Sequence, residues 1–221
     1  MPMACLTQSV FDTPAYSCLQ AAHYTGLPYQ TLRGWIGGEG LIKTPEPSAL
    51  SFNNLAEAHI LKSMRRVHKL SLQGIRKALR ELEQIRHTDH PLLDENFETD
   101  GVNLCIRFND EVINLSQRSQ REIREFVSLY LQRINRDDSG RVTRLYPFVV
   151  TEKESEPRHI SISPTVSFGK PVLSGTAIST SVIVGRFNAR DSVADLAREY
   201  DVAPAVLEDA IRWEMNRGKA A

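Results

Sequence analysis

The sequence is poor in cysteine. Its three thiols, Cys5, Cys18 and Cys105, are odd in number, widely spaced and never set as C-x-x-C. That excludes a disulfide scaffold and a zinc ribbon. Long apolar runs are missing too. No stretch approaches the roughly 20 residues that span a bilayer, and no basic start precedes an apolar segment. No membrane partner and no secretory signal are therefore expected, and the cytoplasm is the expected compartment. Net charge is also absent, with 27 basic and 27 acidic residues. A cationic coat over the whole chain is excluded, but a local basic surface is not.

The usual signatures of catalysis are missing as well. His87-x-x-His90 has no Cys or Glu companion at metal-ligand spacing and reads as part of a solvated linker. Gly37-Gly38-Glu39-Gly40 and Gly169-Lys170-Pro171 lack the Gly-Lys-Ser/Thr ending of a phosphate-binding loop and read as turns. Asp94-Glu95, Asp110-Glu111 and Asp137-Asp138 are acidic pairs in expected turns, whereas a nuclease needs carboxylates dispersed on buried element ends. The chain reads as a non-enzyme that needs no cofactor and no metal.

What is present is enough core for one large domain or two small ones, since 41% of the 221 residues are hydrophobic. Charge is uneven along the chain. Residues 1–88 carry ten Lys/Arg against six Asp/Glu, and residues 89–150 carry eight against eleven. The basic excess gathers in 62–86, where Lys62, Arg65, Arg66, Lys69, Arg76, Lys77, Arg80 and Arg86 face only Glu81 and Glu83. A phosphate backbone favours such a surface; a solvated helix face has the same composition.

Periodicity predicts a mainly α fold with small β elements. Ser17 caps a helix through Leu19, Ala22 and Tyr24. Thr25-Gly26 turns the corner, and Pro28 opens a second helix through Leu32, Trp35 and Ile36. Leu41-Ile42-Lys43 and Leu50-Ser51-Phe52 pair as a small wing across Thr44 to Pro47. Helices follow near 53–68 and 71–86, the second capped by Ser71. Residues 87–98 read as a polar linker, Asp100-Gly101 as a hairpin turn, and Val102, Leu104, Ile106 and Phe108 as an alternating strand. Ser119-x-x-Glu122 reads as a capping box opening a helix whose stripe runs from Ile123 to Ile134, wide enough for a partner helix in a homodimer and equally suited to packing on its own hairpin. A strand is expected over 142–150. The acidic stretch Thr151 to Pro157 reads as a boundary. Ile160 and Ile162 form a short strand, and helices are expected near 179–187, 192–200 and 204–217. The expected division is 1–88, a central α/β segment over 89–156, and 157–221.

Two of the helix pairs share one spacing. Ala22, Gly26, Leu27 and Leu32 recur as Ala197, Asp201, Val202 and Leu207. A small residue lets the helices cross, Gly or Asp tolerates a left-handed corner, and two apolar residues fill the core beneath the second helix. This is the helix-turn-helix arrangement that presents a helix to the major groove. In the first unit Tyr29, Gln30, Thr31 and Arg33 are the candidate DNA contacts, with Lys43 on the wing and Arg65 and Arg66 behind it. Gln pairs with adenine, and Arg with guanine or phosphate. The second unit offers Ala205, Glu208 and Asp209, and acids there favour a protein partner over DNA.

The stretch from Tyr16-Ser17 to Trp35, with Ala21-Ala22, Thr25-Gly26-Leu27 and Thr31-Leu32-Arg33-x-Trp35, resembles the MerR-type winged helix-turn-helix. Leu50-Ser51-Phe52-x-x-Leu55-x-Glu57-Ala58 extends the likeness. Ile162-Ser163-Pro164, Gly169-Lys170-Pro171-Val172 and Ser174-Gly175-Thr176-x-Ile178 resemble a DUF433 domain, with Ala177 where that family often has Arg. The combination resembles VapB-type antitoxins of mycobacterial modules. That resemblance implies a PIN-like ribonuclease toxin as partner, repression of its own operon through operator DNA, and toxin contacts from basic groups near the C-terminus, for which Arg212, Arg217 and Lys219 are the candidates. The alternative is a MerR-like transcription regulator without a toxin.

Overall fold

A computed structural model describes residues 9–36, 40–46, 49–66, 70–113, 115–149 and 152–215, leaving aside the side chains of Arg66 and of residues 110–113. Among these residues the fold is mainly helical with three small antiparallel strand pairs. The expected fold class holds. A short strand β1 (Tyr16–Ser17) leads into α1 (Cys18–Thr25) and α2 (Tyr29–Trp35). The Ser17 hydroxyl accepts from the Gln20 amide, and the Gln20 side chain accepts from the Ser17 amide. Two orphan donors of α1 are thus satisfied reciprocally.

The wing takes a different form from the expected hairpin. Strand β2 (Ala49–Leu50) pairs with β1, setting Tyr16 opposite Leu50 and Ser17 opposite Ala49. The predicted partner strand is instead held by a parallel bridge from Ile42 to Ile36. The chain therefore returns to the start of the first motif and closes it as a unit.

Helix α3 (Phe52–Arg66) is the centre of the molecule, and every residue from Phe52 to Leu61 is buried. It is not apolar, for it carries Asn54, Glu57, His59 and Ser63 inside. Burying such groups costs several kcal/mol each, on the order of 2–7, unless they find partners. They do. Asn54 and Ser51 cap the helix reciprocally, and the Asn54 amide also donates to the Lys43 carbonyl at 2.8 Å. His59 meets the Tyr130 carbonyl at 3.3 Å and stacks on Phe148. Burial holds the His59 imidazole down at about 3, so it stays neutral.

Helix α4 (Leu72–Arg86) follows, capped by Ser71 as expected. The next segment corrects the sequence reading. Residues 102–108 form no strand but belong to α5 (Val102–Ile113). Among its described side chains the buried positions are Val102, Cys105, Ile106 and Asn109, a helical stripe in which Cys and Asn take core places. Asn109 accepts from the Ser71 amide and hydroxyl and donates to the Cys105 carbonyl. A Cβ on Gly74 would collide with that Asn109 side chain, so the glycine lets α4 and α5 approach. Nor is Asp100-Gly101 a hairpin. It ends a single π-type turn, Phe97–Gly101, in which a Cβ on Gly101 would meet the Phe97 ring. The expected linker 87–98 also carries core, because Leu92 and Phe97 are fully buried.

Helix α6 (Gln117–Leu131) is capped three residues before the predicted cap Ser119. Its cap is Ser116, which accepts from the Ser119 amide. Its buried stripe of Ile123, Val127 and Tyr130 packs on α3. Strands β3 (Ile134–Arg136) and β4 (Val142–Leu145) form a hairpin, and Leu145 exchanges both backbone bonds with Ile162. Arg133 is buried beneath it. Its guanidinium donates to the carbonyls of Tyr146, Pro147, Glu156 and Pro157 and lies over the Phe148 ring at 4.6 Å. One planar fork thus gathers the chain that leads into the C-terminal part.

That part consists of β5 (Ile160–Ser161), β6 (Val172–Leu173), α7 (Thr180–Asn188), α8 (Val193–Tyr200) and α9 (Pro204–Met215), close to the predicted elements. Buried apolar side chains fall into two clusters. The larger runs from Phe11 to Ile162 and takes in Trp213 of α9; the smaller joins Leu173, Ile183, Leu196, Leu207, Ala210 and Ile211.

Candidate functional site

Gly26 makes the first corner. Its backbone is left-handed, φ 64° and ψ 33°, which costs glycine nothing. The next amide, Leu27, donates to the Ala22 carbonyl at 2.9 Å. Lys62 of α3 reaches under the corner, donating to the Thr25 carbonyl at 2.9 Å while pairing with Glu152 at 3.0 Å. A charged group at the end of α1 thus satisfies a terminal carbonyl. Beyond the corner, α2 buries Leu32 and Trp35 and exposes Gln30 and Arg33. Tyr29 and Thr31 are half-buried, and Tyr29 packs on the core.

The second unit repeats the geometry. Asp201 is left-handed at φ 52° and ψ 49°, the Val202 amide donates to the Ala197 carbonyl at 3.1 Å, and Leu207 is fully buried. The left-handed corner, the backbone bond behind it and the buried leucine recur, while Ala197 and Val202 are half-buried where Ala22 and Leu27 are buried. Their surfaces differ. On α9, Ala205 and Glu208 are exposed, whereas Asp209 is engaged. It meets His159 Nδ1 at 2.8 Å and Arg212 at 2.6 Å. Arg212 is half-exposed in that ion pair, while Arg217 and Lys219 lie outside the described residues.

Two cations of the basic segment, Lys62 and Arg86, are answered by acids from outside it. Lys62 pairs with Glu152, Arg86 with Asp94 and Asp100, and Arg107 of α5 takes up Glu81 at 2.8 Å. Arg65 donates to the Leu70 carbonyl and is half-buried. Arg66 ends α3, its side chain outside the description. Lys43 pairs with Glu83 at 2.8 Å but remains 60% exposed. A backbone bond from Ile42 to Trp35 keeps it beside the end of α2. Gln30, Arg33 and Lys43 are therefore the solvent-facing members of the predicted DNA set; Lys77 and Arg80 are exposed on α4.

One cluster escaped the sequence reading. His90 sits between Glu57 at 3.0 Å on Nδ1 and Asp12 at 2.9 Å on Nε2, and Asp12 also accepts from Asn53. Burial pulls His90 down, but the bonds and charges of Glu57 and Asp12 outweigh it and lift the imidazole to about 9. Burial in turn raises the Glu57 carboxyl, against the pull of His90. The cluster borders a cavity of about 240 Å3 lined also by Lys43, Ser51 and Asp89. His90 is thus a structural cation, not part of a solvated linker. The signal available was the apolar Pro91-Leu92-Leu93 that follows it. Among the described residues no group of three or more His, Cys, Asp or Glu side chains is set to hold a metal, and no helix is long and apolar enough to cross a membrane.

Residues 160–213 match the family described as "Protein of unknown function (DUF433)". Over 91% of its length the chain is 25% identical to a protein of Mycobacterium tuberculosis (strain ATCC 25618 / H37Rv) named "Putative antitoxin VapB45", of which it covers 94%. It is also similar to the X-ray crystal structure of Rv2018 from Mycobacterium tuberculosis. The TM-score is 0.71 at 24% identity, over 91% of this chain and 99% of that one. This second likeness is one of fold.

Proposed function

We propose that the chain is the antitoxin of a toxin–antitoxin module. In this reading it is a cytoplasmic, non-enzymatic regulator that holds operator DNA with α2 and a PIN-like ribonuclease toxin with its C-terminal part. The observation that carries the DNA half is the exposed pair Gln30 and Arg33, on a helix whose other side is locked by Leu32 and Trp35. Side chains of these types read adenine and guanine edges. The antitoxin half is supported by the likeness, along nearly the whole chain, to a protein named as an antitoxin.

The two corners divide the work. Residues 1–88 present the MerR-like reading helix, and 157–221 present a second unit whose exposed α9 surface carries Glu208 where a phosphate would be repelled. Residues 89–156 join them, and a homodimer would place two α2 helices on a repeated operator. Arg212, Arg217 and Lys219 are the basic groups proposed to enter the toxin's acidic metal site.

Purification of the full chain from its native host tests this reading. A stoichiometric complex with a small ribonuclease, together with repression of a reporter behind the chain's own promoter, is the expected result. Recovery of the chain without any ribonuclease, with repression intact, would overturn the antitoxin half and leave a plain transcription regulator.

A further inference from the structure

The turn Ser167–Gly169 carries three consecutive residues in the left-handed region, at φ 47°, 55° and 77°. Two of them bear a Cβ, for which that region is disfavoured. The middle one, Phe168, is 95% exposed, well beyond the next apolar side chains, Met215 at 65% and Leu19 at 60%. The strain therefore brings no packing within this chain. Glycine would suit the backbone better and expose less apolar surface.

The turn is nevertheless pinned from both sides. The Tyr16 hydroxyl donates to the Gly169 carbonyl at 3.1 Å, and a Cβ on the buried Gly169 would run into that hydroxyl. On the other side the Ser167 hydroxyl donates to the Ala177 carbonyl at 2.9 Å. Amide bonds from Gly169 to Val166 and from Lys170 to Ser167 close the turn. A rigid, strained turn holds a large aromatic ring out in water.

We propose that Phe168 is the anchor by which the chain holds its toxin, inserted into an apolar socket on that protein. The proposal rests on the antitoxin reading and names the surface that would serve it. The charge pattern favours a protein partner. Residues 160–185 carry a single charged side chain, Lys170. That suits the charge-poor centre of a protein interface and not a phosphate backbone. The likeness along nearly the whole chain to a protein named as an antitoxin points to a toxin as that partner, in place of a second copy. A pre-organised anchor loses little freedom on binding, and aromatic residues, Phe among them, are enriched at the cores of protein interfaces.

The test uses the full chain and the purified product of the gene neighbouring its own, with titration calorimetry. Phe168→Ala is expected to weaken the complex at least about 30-fold, the loss typical of a hot spot. Phe168→Gly should lose binding to the same extent while its melting temperature holds or rises, since the backbone strain is relieved. Phe187→Ala, at another exposed phenylalanine, should bind as the parent does. Unchanged affinity of Phe168→Ala, with the parent chain binding tightly, overturns the anchor and leaves the antitoxin reading standing. Loss of self-association instead, or of operator binding, reassigns the ring to a second copy or to DNA and overturns it likewise. Failure of the parent chain to bind that gene product removes the antitoxin reading and the anchor together.

Discussion

Trp213 of α9 stacks on Tyr24 of α1, with ring centroids 5.6 Å apart and planes inclined by 28°. His23 closes on the same indole at 4.7 Å. Trp213 is 4% exposed and belongs to the larger core, although its helix is the second helix of the second unit. The end of one unit is thus built into the first helix of the other. The Tyr16 bond to Gly169 adds a second tie between them.

Trp213→Ala is expected to destabilise the chain by about 3–5 kcal/mol, the range for truncating a buried aromatic ring. Urea denaturation measures it. Because the ring joins the two units, the slope of the transition should also report loss of one cooperative step. A loss below about 1 kcal/mol would show that the units do not depend on this contact.

Gln30→Ala and Arg33→Ala should leave the melting temperature unchanged, since both side chains are exposed. Operator affinity should fall, by about 1–3 kcal/mol for a residue reading a base edge. Fluorescence anisotropy at fixed salt checks both. Leu32→Ala, in contrast, should cost about 2–5 kcal/mol of stability through its buried site.

Stability should pass through a maximum near pH 6.5. His90 is raised to about 9, so its contribution is complete below its ordinary value of 6.5 and is lost as pH rises towards 9. The loss is at most about 3 kcal/mol. His59 is lowered to about 3, so the unfolded chain binds the proton first and stability falls as pH drops below 6.5. Melting temperatures from pH 5 to 9.5 give the profile. His90→Gln should flatten its alkaline limb.

Arg133→Lys should destabilise nearly as much as Arg133→Ala, because an ammonium cannot serve four carbonyls spread around one plane. Leaving buried acceptors without donors costs about 1–3 kcal/mol each. Chemical denaturation of the two variants decides it, and a Lys variant as stable as the parent would contradict the clamp.

The two corners separate by chemistry. Asp201→Gly should be neutral or stabilising by up to about 1 kcal/mol, since glycine holds φ 52° without strain. Gly26→Val should destabilise by more than about 1 kcal/mol, because a branched side chain resists φ 64°. Thermal melts of both variants test the pair.

These corners were legible in the sequence because each rests on local chemistry: a small residue, a left-handed residue and two apolar ones at fixed spacing. The caps at Ser17 and Ser71 were legible for the same reason. The segment 102–108 was not. Val102, Leu104, Ile106 and Phe108 alternate, but the helix is decided by Cys105 and Asn109, and a buried Asn looks polar until its partner Ser71 is known. The helix near 53–68 was legible, but the burial of its whole first part was not, because Glu57 and His59 look like surface groups and are partnered by residues 33 and 71 positions away. The basic charge over 62–86 was legible as composition, but the pairing of Lys62 with Glu152 and of Arg86 with Asp94 and Asp100 is a property of tertiary structure. Of the site, Gln30 and Arg33 could be named from sequence. Phe168 could not, since its exposure depends on a backbone that the flanking residues impose.

The central claim is that this chain silences a ribonuclease. Its most direct measure is RNA cleavage by the neighbouring gene product, titrated with the purified full chain. Cleavage should fall linearly and vanish near one equivalent per toxin. Undiminished cleavage at several-fold excess of the chain would contradict the account.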